Sequence, residues 1–267
     1  MNPFLAELVG TAILVLLGNG VVANVVLSNT KGHGGGWIVI TAGWGFAVFV
    51  AVLCVGQFSG AHINPAVSVG LAVAGEFDWA LVPGYVAAQL AGGFLGGVLV
   101  YLFYRPHYAV TDDGNAKLAT FCTAPQIREG TSNTFSEVVG TFVLVYAVLL
   151  SVEPTFQLPG GDVADPVQVG LGSIGALPVG LIVFAIGLSL GGTTGYAINP
   201  ARDLGPRLAH AVLPIPGKRD SDWSYAAIPV VGPLVGAPPP ACSCCNRSAS
   251  CTRRPDVTSP YVFTRAS

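Results

Sequence analysis

The chain has 267 residues, of which 52% are hydrophobic and only 10% are charged. Because a soluble globular domain carries about 25% charged residues, this composition excludes an ordinary water-soluble protein and predicts a polytopic membrane protein. The formal net charge is −2 and no basic stripe is present, which excludes nucleic acid as a partner.

Six apolar segments follow one another along the chain, each of roughly the length that crosses a bilayer. The first is interpreted as a membrane helix and not as a signal peptide, because it lacks a positively charged start and is too long. The run GHGGG at 32–36 is interpreted as a loop and not as a phosphate cradle, since no Lys-Ser/Thr follows it. The segments lie at 4–28, 37–57, 80–104, 134–152, 170–191 and, with the weakest pattern, 223–237.

The two halves of the chain resemble each other. AELVGTAILVL at 6–16 aligns with SEVVGTFVLVY at 136–146, and an Asn-Pro-Ala triplet follows about sixty residues later in each half, which is an internal repeat. Each half holds three spans. Because three is odd, the second half must enter the membrane from the opposite side, which predicts an inverted repeat. The predicted units are a first repeat at 1–104, a linker at 105–132, a second repeat with a truncated sixth helix at 133–237, and a tail at 238–267.

Each Asn-Pro-Ala triplet precedes an apolar run that is too short to span the membrane alone. Asparagine is a favoured N-cap and proline is favoured at the first helical position, so each triplet predicts the start of a short helix. By the inverted symmetry, two half-helices would meet head to head at mid-membrane, each with a partly positive N-terminus. Such a site donates hydrogen bonds and repels cations, which suits a neutral, hydroxyl-bearing solute. The triplets comprise Asn64, Pro65, Ala66, Asn199, Pro200 and Ala201.

The alternative is that both triplets are incidental N-caps of ordinary helices. A single triplet would favour that interpretation. Two triplets in matching places of an internal repeat count strongly against it.

The sequence resembles the major intrinsic protein family, the aquaporins and aquaglyceroporins. The resemblance covers about residues 4–237, and it implies an all-α polytopic membrane protein. Six tilted helices and two half-helices would surround one pore per subunit, and four subunits would form a homotetramer. The residues that carry it are AHINPAVS at 61–68, GYAINPARDLGPR at 195–207, and the paired Glu-x-x-Gly-Thr motifs that begin at Glu7 and Glu137.

Two arguments disagree about orientation. The basic loop residues would share one side of the membrane, and the positive-inside rule would then place 105–132 in the cytoplasm. The resemblance implies cytoplasmic termini and places that loop outside. We follow the resemblance, because a repeat-built fold tolerates a weak charge bias better than a reversal. Short loops and compact length indicate a bacterial inner membrane. The basic residues concerned are Lys31, Arg105, Lys117, Arg128, Lys218 and Arg219.

Channels of this family narrow at an aromatic/arginine constriction, and the resemblance carries its members over by spacing from the asparagines. Water-selective members typically have histidine at the position of Gly187, where glycine leaves room for the ring of Tyr196. Trp44 and Tyr196 would form an apolar corner for carbon, and Arg202 would donate hydrogen bonds to hydroxyl groups. Tyrosine at 196, where phenylalanine is better known, adds a polar edge. The predicted constriction consists of Trp44, Gly187, Tyr196 and Arg202.

The resemblance therefore implies a passive channel for glycerol and other small neutral polyols, with water, that excludes protons and ions. Loop carbonyls and both asparagine amides would bind the passing hydroxyl groups. No catalytic constellation appears, so no enzyme, cofactor or metal is expected. Further marks of the glycerol-conducting branch are Asp203, Pro233 and Leu234. The pore-facing carbonyls are predicted at Gly60, Ala61, His62, Gly195, Tyr196 and Ala197.

Three other functions stay open: a water-selective channel, an ion-coupled secondary transporter with discontinuous helices, and a membrane scaffold with an inactive pore. Ion coupling would require an ionisable residue at the midplane beyond Glu7, Glu137 and Arg202, and the sequence offers no convincing one. Glu7 and Glu137 lie in apolar spans and could form a proton relay. Their symmetric placement favours a structural role instead, in which each accepts backbone N–H groups from the adjacent Asn-Pro-Ala loop. His62 is expected to be a packed histidine, since no second metal ligand is spaced for it.

The composition changes abruptly at the tail, PPPACSCCNRSASCTRRPDVTSPYVFTRAS. The three prolines at 238–240 would stop the sixth helix after roughly fifteen residues, although a span needs about 20. The spacing C-x-C-C-x₅-C fits a zinc site poorly, and a disulfide framework is a poor interpretation in a polytopic protein. The preferred hypothesis is a reading-frame shift that replaced the end of the sixth helix.

Overall fold

The structure is a computed structural model that describes residues 1–151, 155–156, 167–168 and 170–237. A 3₁₀ helix, Gly172–Ala176, leads into α7, and two-residue strands at Thr155–Phe156 (β1) and Val167–Gln168 (β2) pair antiparallel. The predicted tail at 238–267 lies outside the described residues. The α-helices are α1 Pro3–Val26, α2 Trp37–Ser59, α3 Pro65–Ala74, α4 Val82–Val110, α5 Gly114–Ala119, α6 Gly130–Leu150, α7 Leu177–Leu190, α8 Pro200–Val212 and α9 Ile228–Gly236.

The prediction of an all-α membrane protein is confirmed. Five helical segments are long and apolar enough to cross a membrane: α1, α2, α4, α6, and α7 together with its preceding 3₁₀ turn. The sixth predicted span appears as α9, which has nine residues. The two predicted half-helices are α3, with 10 residues, and α8, with 13.

The predicted end of the third span at residue 104 is wrong, because α4 continues to Val110 with Pro106 inside the helix. Proline disfavours a helix interior, but the residues beyond it are well packed. Tyr108 is fully buried, its hydroxyl is 2.5 Å from Thr120 Oγ1, and its ring lies 5.3 Å from that of Tyr101. Tertiary packing therefore overrides the local signal, and the predicted linker at 105–132 is partly helical, with α5 in its middle.

The inverted repeat is visible in the packing. In the first half α1 packs on α4 and α2, and in the second half α6 packs on α9 and α7. The equivalent crossings both use Gly-x₃-Gly pairs, which let helix backbones approach closely. A Cβ on Gly96 would lie 2.8 Å from Ala12 O of α1, and a Cβ on Gly232 would lie 2.6 Å from Glu137 Cβ of α6. Each half-helix then packs against the long helices of the other half.

The predicted basic loops do share one side of the molecule. Lys117 Nζ donates to Pro216 O, and Arg219 Nη1 donates to Asn115 Oδ1 at 2.6 Å. His107, near the end of α4, contacts Ser28 O at 3.0 Å. The loop after α1, the linker and the loop after α8 therefore meet at one end of the helical bundle.

Candidate functional site

Both half-helices begin as their sequence predicts. Asn64 is the N-cap of α3, and its Oδ1 accepts a hydrogen bond from Ala66 N at 2.9 Å. Asn199 is the N-cap of α8, and its Oδ1 accepts from Ala201 N at 3.0 Å and from Arg202 N at 3.2 Å. In each helix the proline of the triplet is the first helical residue. These contacts satisfy backbone N–H groups that helix starts otherwise leave unpaired.

The two N-caps meet each other. Asn64 Nδ2 donates to Ile198 O at 2.8 Å, and Asn199 Nδ2 donates to Ile63 O at 2.8 Å. Each carboxamide nitrogen carries two hydrogens, so each keeps one for another acceptor. Asn64 and Asn199 line the same cavity. The two half-helix N-termini, with their partial positive charge, therefore face a single shared space.

The loops that lead into the half-helices have unusual backbone conformations at equivalent places. Ala61 and Ile63 have φ of 49° and 43°, and Tyr196 and Ile198 have φ of 37° and 42°. Residues with a Cβ pay about 1–2 kcal/mol for each left-handed conformation. The surrounding structure must therefore hold these loops in place.

Two buried carboxylates provide that support. Glu7 accepts hydrogen bonds from His62 N at 3.0 Å and from Ile63 N at 2.6 Å. Glu137 accepts from Ala197 N at 3.0 Å and from Ile198 N at 2.8 Å. The structure thus places both carboxylates beneath the strained loops, in the geometry of the structural role and not in a chain of proton carriers.

Sequence reasoning missed the rest of this network. Gln89 Nε2 donates to Glu7 Oε2 at 2.7 Å, and Ser59 Oγ donates to Glu7 Oε1 at 2.6 Å. The signal available in the sequence was a glutamine inside an otherwise apolar segment, and the structure shows that it is fully buried. His62 is packed as expected: its Nδ1 lies 3.0 Å from Ser68 Oγ and its ring contacts Phe77. Within the described part of the chain, no group of three His, Cys, Asp or Glu residues could hold a metal ion.

Of the predicted pore carbonyl residues, Gly195 lies outside the cavity lining, and its backbone N–H donates to Gly191 O at 2.9 Å. The prolines and alanines of the triplets also lie outside the lining. Pro233 is buried inside α9 and the neighbouring Leu234 is half-buried; both are away from the cavity. The predicted carbonyl residues that do line it are Gly60, Ala61, His62, Tyr196 and Ala197.

Three of the four predicted constriction residues line the cavity together: Trp44, Tyr196 and Arg202. The Arg202 guanidinium lies over the Trp44 ring, 4.0 Å from its centroid, a cation–π contact. All three side chains are at least nine-tenths buried. The six-membered ring of Trp44 occupies the place where a Cβ on residue 18 would be, so Trp44 requires glycine at that position. Sequence reasoning missed this requirement.

Gly187, the fourth member, makes room for Tyr196. A Cβ at 187 would lie 2.8 Å from Tyr196 Cζ, 3.0 Å from its hydroxyl oxygen and 2.9 Å from Thr41 Cγ2. No real side chain tolerates such distances, so the tyrosine ring occupies the space that a larger residue would take. Gly187 therefore shapes the constriction only by having no side chain, and it does not itself line the cavity.

Asp203, the predicted branch marker, forms a fully buried ion pair with Arg207, at 2.8 Å. Its other oxygen accepts from both the backbone N–H and the hydroxyl of Thr123, each at 2.7 Å. Arg207 also donates to the backbone oxygens of Ser221 and Asp222. The pair therefore ties the linker and the loop after α8 to the second half-helix. Arg207 was missed as a functional residue, although it lies in the GYAINPARDLGPR motif.

Comparison with known proteins agrees with this geometry. The family model described as "Major intrinsic protein" matches residues 1–241. The chain is 56% identical over 236 residues to the probable glycerol uptake facilitator protein of Thermotoga maritima, covering 88% of this chain and 95% of that protein. It is 53% identical over 237 residues to the glycerol uptake facilitator protein of Streptococcus pneumoniae, covering 89% and 95% respectively.

Among solved structures, the chain is similar to the aquaglyceroporin from Plasmodium falciparum, with a TM-score of 0.74 and 33% sequence identity. That similarity covers 88% of this chain and 91% of the other. The family model spans most of the chain, and the relatives are aligned over nearly their full length. The chain belongs to the major intrinsic protein family.

Proposed function

We propose that this protein is a passive channel for glycerol and other small uncharged polyols, together with water. The observation that carries the proposal is the constriction, in which the Tyr196 ring occupies the space over Gly187. An apolar surface and a polar group then meet in one narrow passage: the rings of Trp44 and Tyr196, and the Arg202 guanidinium, which is stacked on the Trp44 ring. The names of the Thermotoga and Streptococcus relatives support the same substrate.

Arg202 supplies the hydrogen-bond donors. Its guanidinium has five N–H groups, and within the described part of the chain none of them donates to another protein group. The free hydrogens of the Asn64 and Asn199 amides lie further along the same cavity. A polyol would thus exchange hydrogen bonds with successive donors while its CH groups slide along the apolar wall. None of these partners alone binds tightly enough to prevent release.

Cations and protons are excluded by the same elements. The two half-helix N-termini and Arg202 all present positive potential to the cavity. The carboxylates of Glu7 and Glu137 accept hydrogen bonds from backbone N–H groups, and among the described residues that line the cavity there is no Asp or Glu to offset that potential. The transport step involves no covalent chemistry. We further propose that the protein is a multi-pass protein of a bacterial inner membrane and assembles as a homotetramer.

Light scattering from proteoliposomes tests the proposal. Vesicles are shrunk with glycerol or with impermeant sorbitol, with and without an imposed pH gradient. We expect rapid glycerol entry that does not depend on pH. Fast water flow with slow glycerol entry would indicate a water channel, flux that requires the proton gradient would indicate a coupled carrier, and no flux would indicate a scaffold.

A further inference from the structure

Trp37 is the first residue of α2 and follows the glycine-rich loop at 32–36. It does not line the cavity, and its side chain is 39% exposed at the end of the bundle where the basic loops meet. A tryptophan at this depth would ordinarily be regarded as an anchor at the membrane–water interface. Trp37 also makes two contacts that an interface anchor does not need.

The first contact is a hydrogen bond from Trp37 Nε1 to Gly187 O, at 2.9 Å. Gly187 belongs to the last turn of α7, which ends at Leu190. The last four carbonyls of a helix have no partner within the helix, and the indole N–H supplies one. Trp37 therefore fixes the backbone of the residue whose missing side chain makes room for Tyr196.

The second contact is with Tyr196 itself. The two rings meet edge to face, with centroids 5.8 Å apart and planes at 83°. Gly191 lies against both rings: a Cβ there would be 2.8 Å from Trp37 Cζ2 and would also clash with Tyr196 Cδ1. The glycines at 187 and 191, one helical turn apart, thus form a flat surface on which both rings are packed.

We propose that Trp37 is a positioning residue for the constriction, which sets the width of the passage by holding the Gly187 backbone and the Tyr196 ring. This inference rests on the proposed function. With Trp37 in place, the Tyr196 ring has no room to swing away from the lumen. Without it, the ring gains freedom on its outer side, and the passage admits bulkier polyols.

Two substitutions separate the contacts. Trp37→Leu keeps an apolar side chain but removes both the hydrogen bond and the ring contact. Trp37→Phe keeps an aromatic edge and removes only the donor. Trp223→Leu is the matched control, because Trp223 is similarly exposed, at 47%, in the loop at the same end of the bundle.

The measurement is the ratio of erythritol to glycerol permeability in proteoliposomes. This ratio is independent of how much protein is inserted, so a merely structural loss does not change it. We expect Trp37→Leu to raise the ratio about threefold or more, as loss of one aromatic contact implies. Trp37→Phe should give a smaller increase, and Trp223→Leu should match the wild type.

Equal ratios for Trp37→Leu and Trp223→Leu would overturn the proposal and assign Trp37 to interface anchoring. If Trp37→Leu does not insert, Trp37→Phe decides, and a ratio no higher than that of Trp223→Leu would overturn the proposal. A wild-type protein without glycerol flux would instead refute the proposed function. An active wild type with unchanged variants would refute only the role of Trp37.

Discussion

At the constriction, Gly187 acts by having no side chain. Tyr196 bears a hydroxyl group and needs more room than phenylalanine would, and Gly187 supplies that room. The same relation holds between Gly18 and Trp44 on the other side of the cavity. Selectivity at this point is thus set by pairs of residues, one large and one without a side chain.

Gly187→His should therefore reduce glycerol flux more than water flux. The imidazole would force the Tyr196 ring into the lumen, and overpacking of this kind costs about 1–3 kcal/mol, so we expect a loss of glycerol permeability of about tenfold or more. Gly192→His is the control, because a Cβ at Gly192 has no neighbour within 4 Å. Stopped-flow measurements of the glycerol and water permeabilities compare the two losses. Equal losses would contradict the assignment of Gly187 to the constriction.

The structural role of Glu7 can be tested with the isosteric substitution Glu7→Gln. Glu7→Gln places an NH₂ group against the backbone N–H groups of the loop at 62–63, so at least one donor loses its acceptor. A buried unsatisfied group costs about 1–3 kcal/mol, and the thermal midpoint in detergent should fall. Glu76→Gln, at an exposed position, should leave the midpoint unchanged. A proton relay predicts the opposite pattern, with normal stability and altered pH dependence of transport.

At the scale of elements, the half-helix α8 depends on a buried ion pair that also fixes two loops. Removing one partner of such a pair costs about 3–5 kcal/mol, because the other charge stays buried and unpaired. Arg207→Leu should therefore strongly destabilise the protein and release the linker from α8. Limited proteolysis of the linker, together with thermal unfolding, provides the readout.

Arg219→Leu is the control for that experiment. Arg219 pairs with Asp220 at 3.2 Å, but both side chains are exposed, at 36% and 71%. Arg219 also donates to Asn115 of the linker, but that contact is exposed as well. Surface contacts of this kind contribute about 0–1 kcal/mol, so Arg219→Leu should change stability and proteolysis of the linker little. If Arg207→Leu were as stable and as resistant to protease as Arg219→Leu, the buried pair would not be what ties the loops to the half-helix.

The elements that the sequence predicted well are those with a local chemical signature. Asn-Pro at a helix start fixes an N-cap and a first helical residue, and the repeat supplied the second copy and its inverted orientation. The end of α4 was missed because the packing of Tyr108 against Thr120 and Phe121 outweighs the signal of Pro106. Gln89 and Trp37 were missed for the same reason: their partners are 82 and 150 residues away in the chain.

At the scale of the whole molecule, the two repeats differ most, within the described residues, in the lengths of their last helices. The long helix α4 has 29 residues, and its counterpart α9 has nine. A nine-residue helix is about 14 Å long, roughly half of the hydrocarbon thickness of about 30 Å. We propose that a reading-frame shift replaced the remainder of this helix with the polar tail at 238–267.

Restoring the helix tests that proposal at the level of the protein. A chimera in which residues 238–267 are replaced by about twelve apolar, helix-forming residues should extend α9 along α6, as α4 extends along α1. The added burial should raise the thermal midpoint in detergent by several degrees and increase the glycerol flux per vesicle. A second chimera with a Gly/Ser segment of equal length separates the gain of the helix from the loss of the tail. If both chimeras melt at the same temperature, the length of α9 is not what limits the stability of this channel.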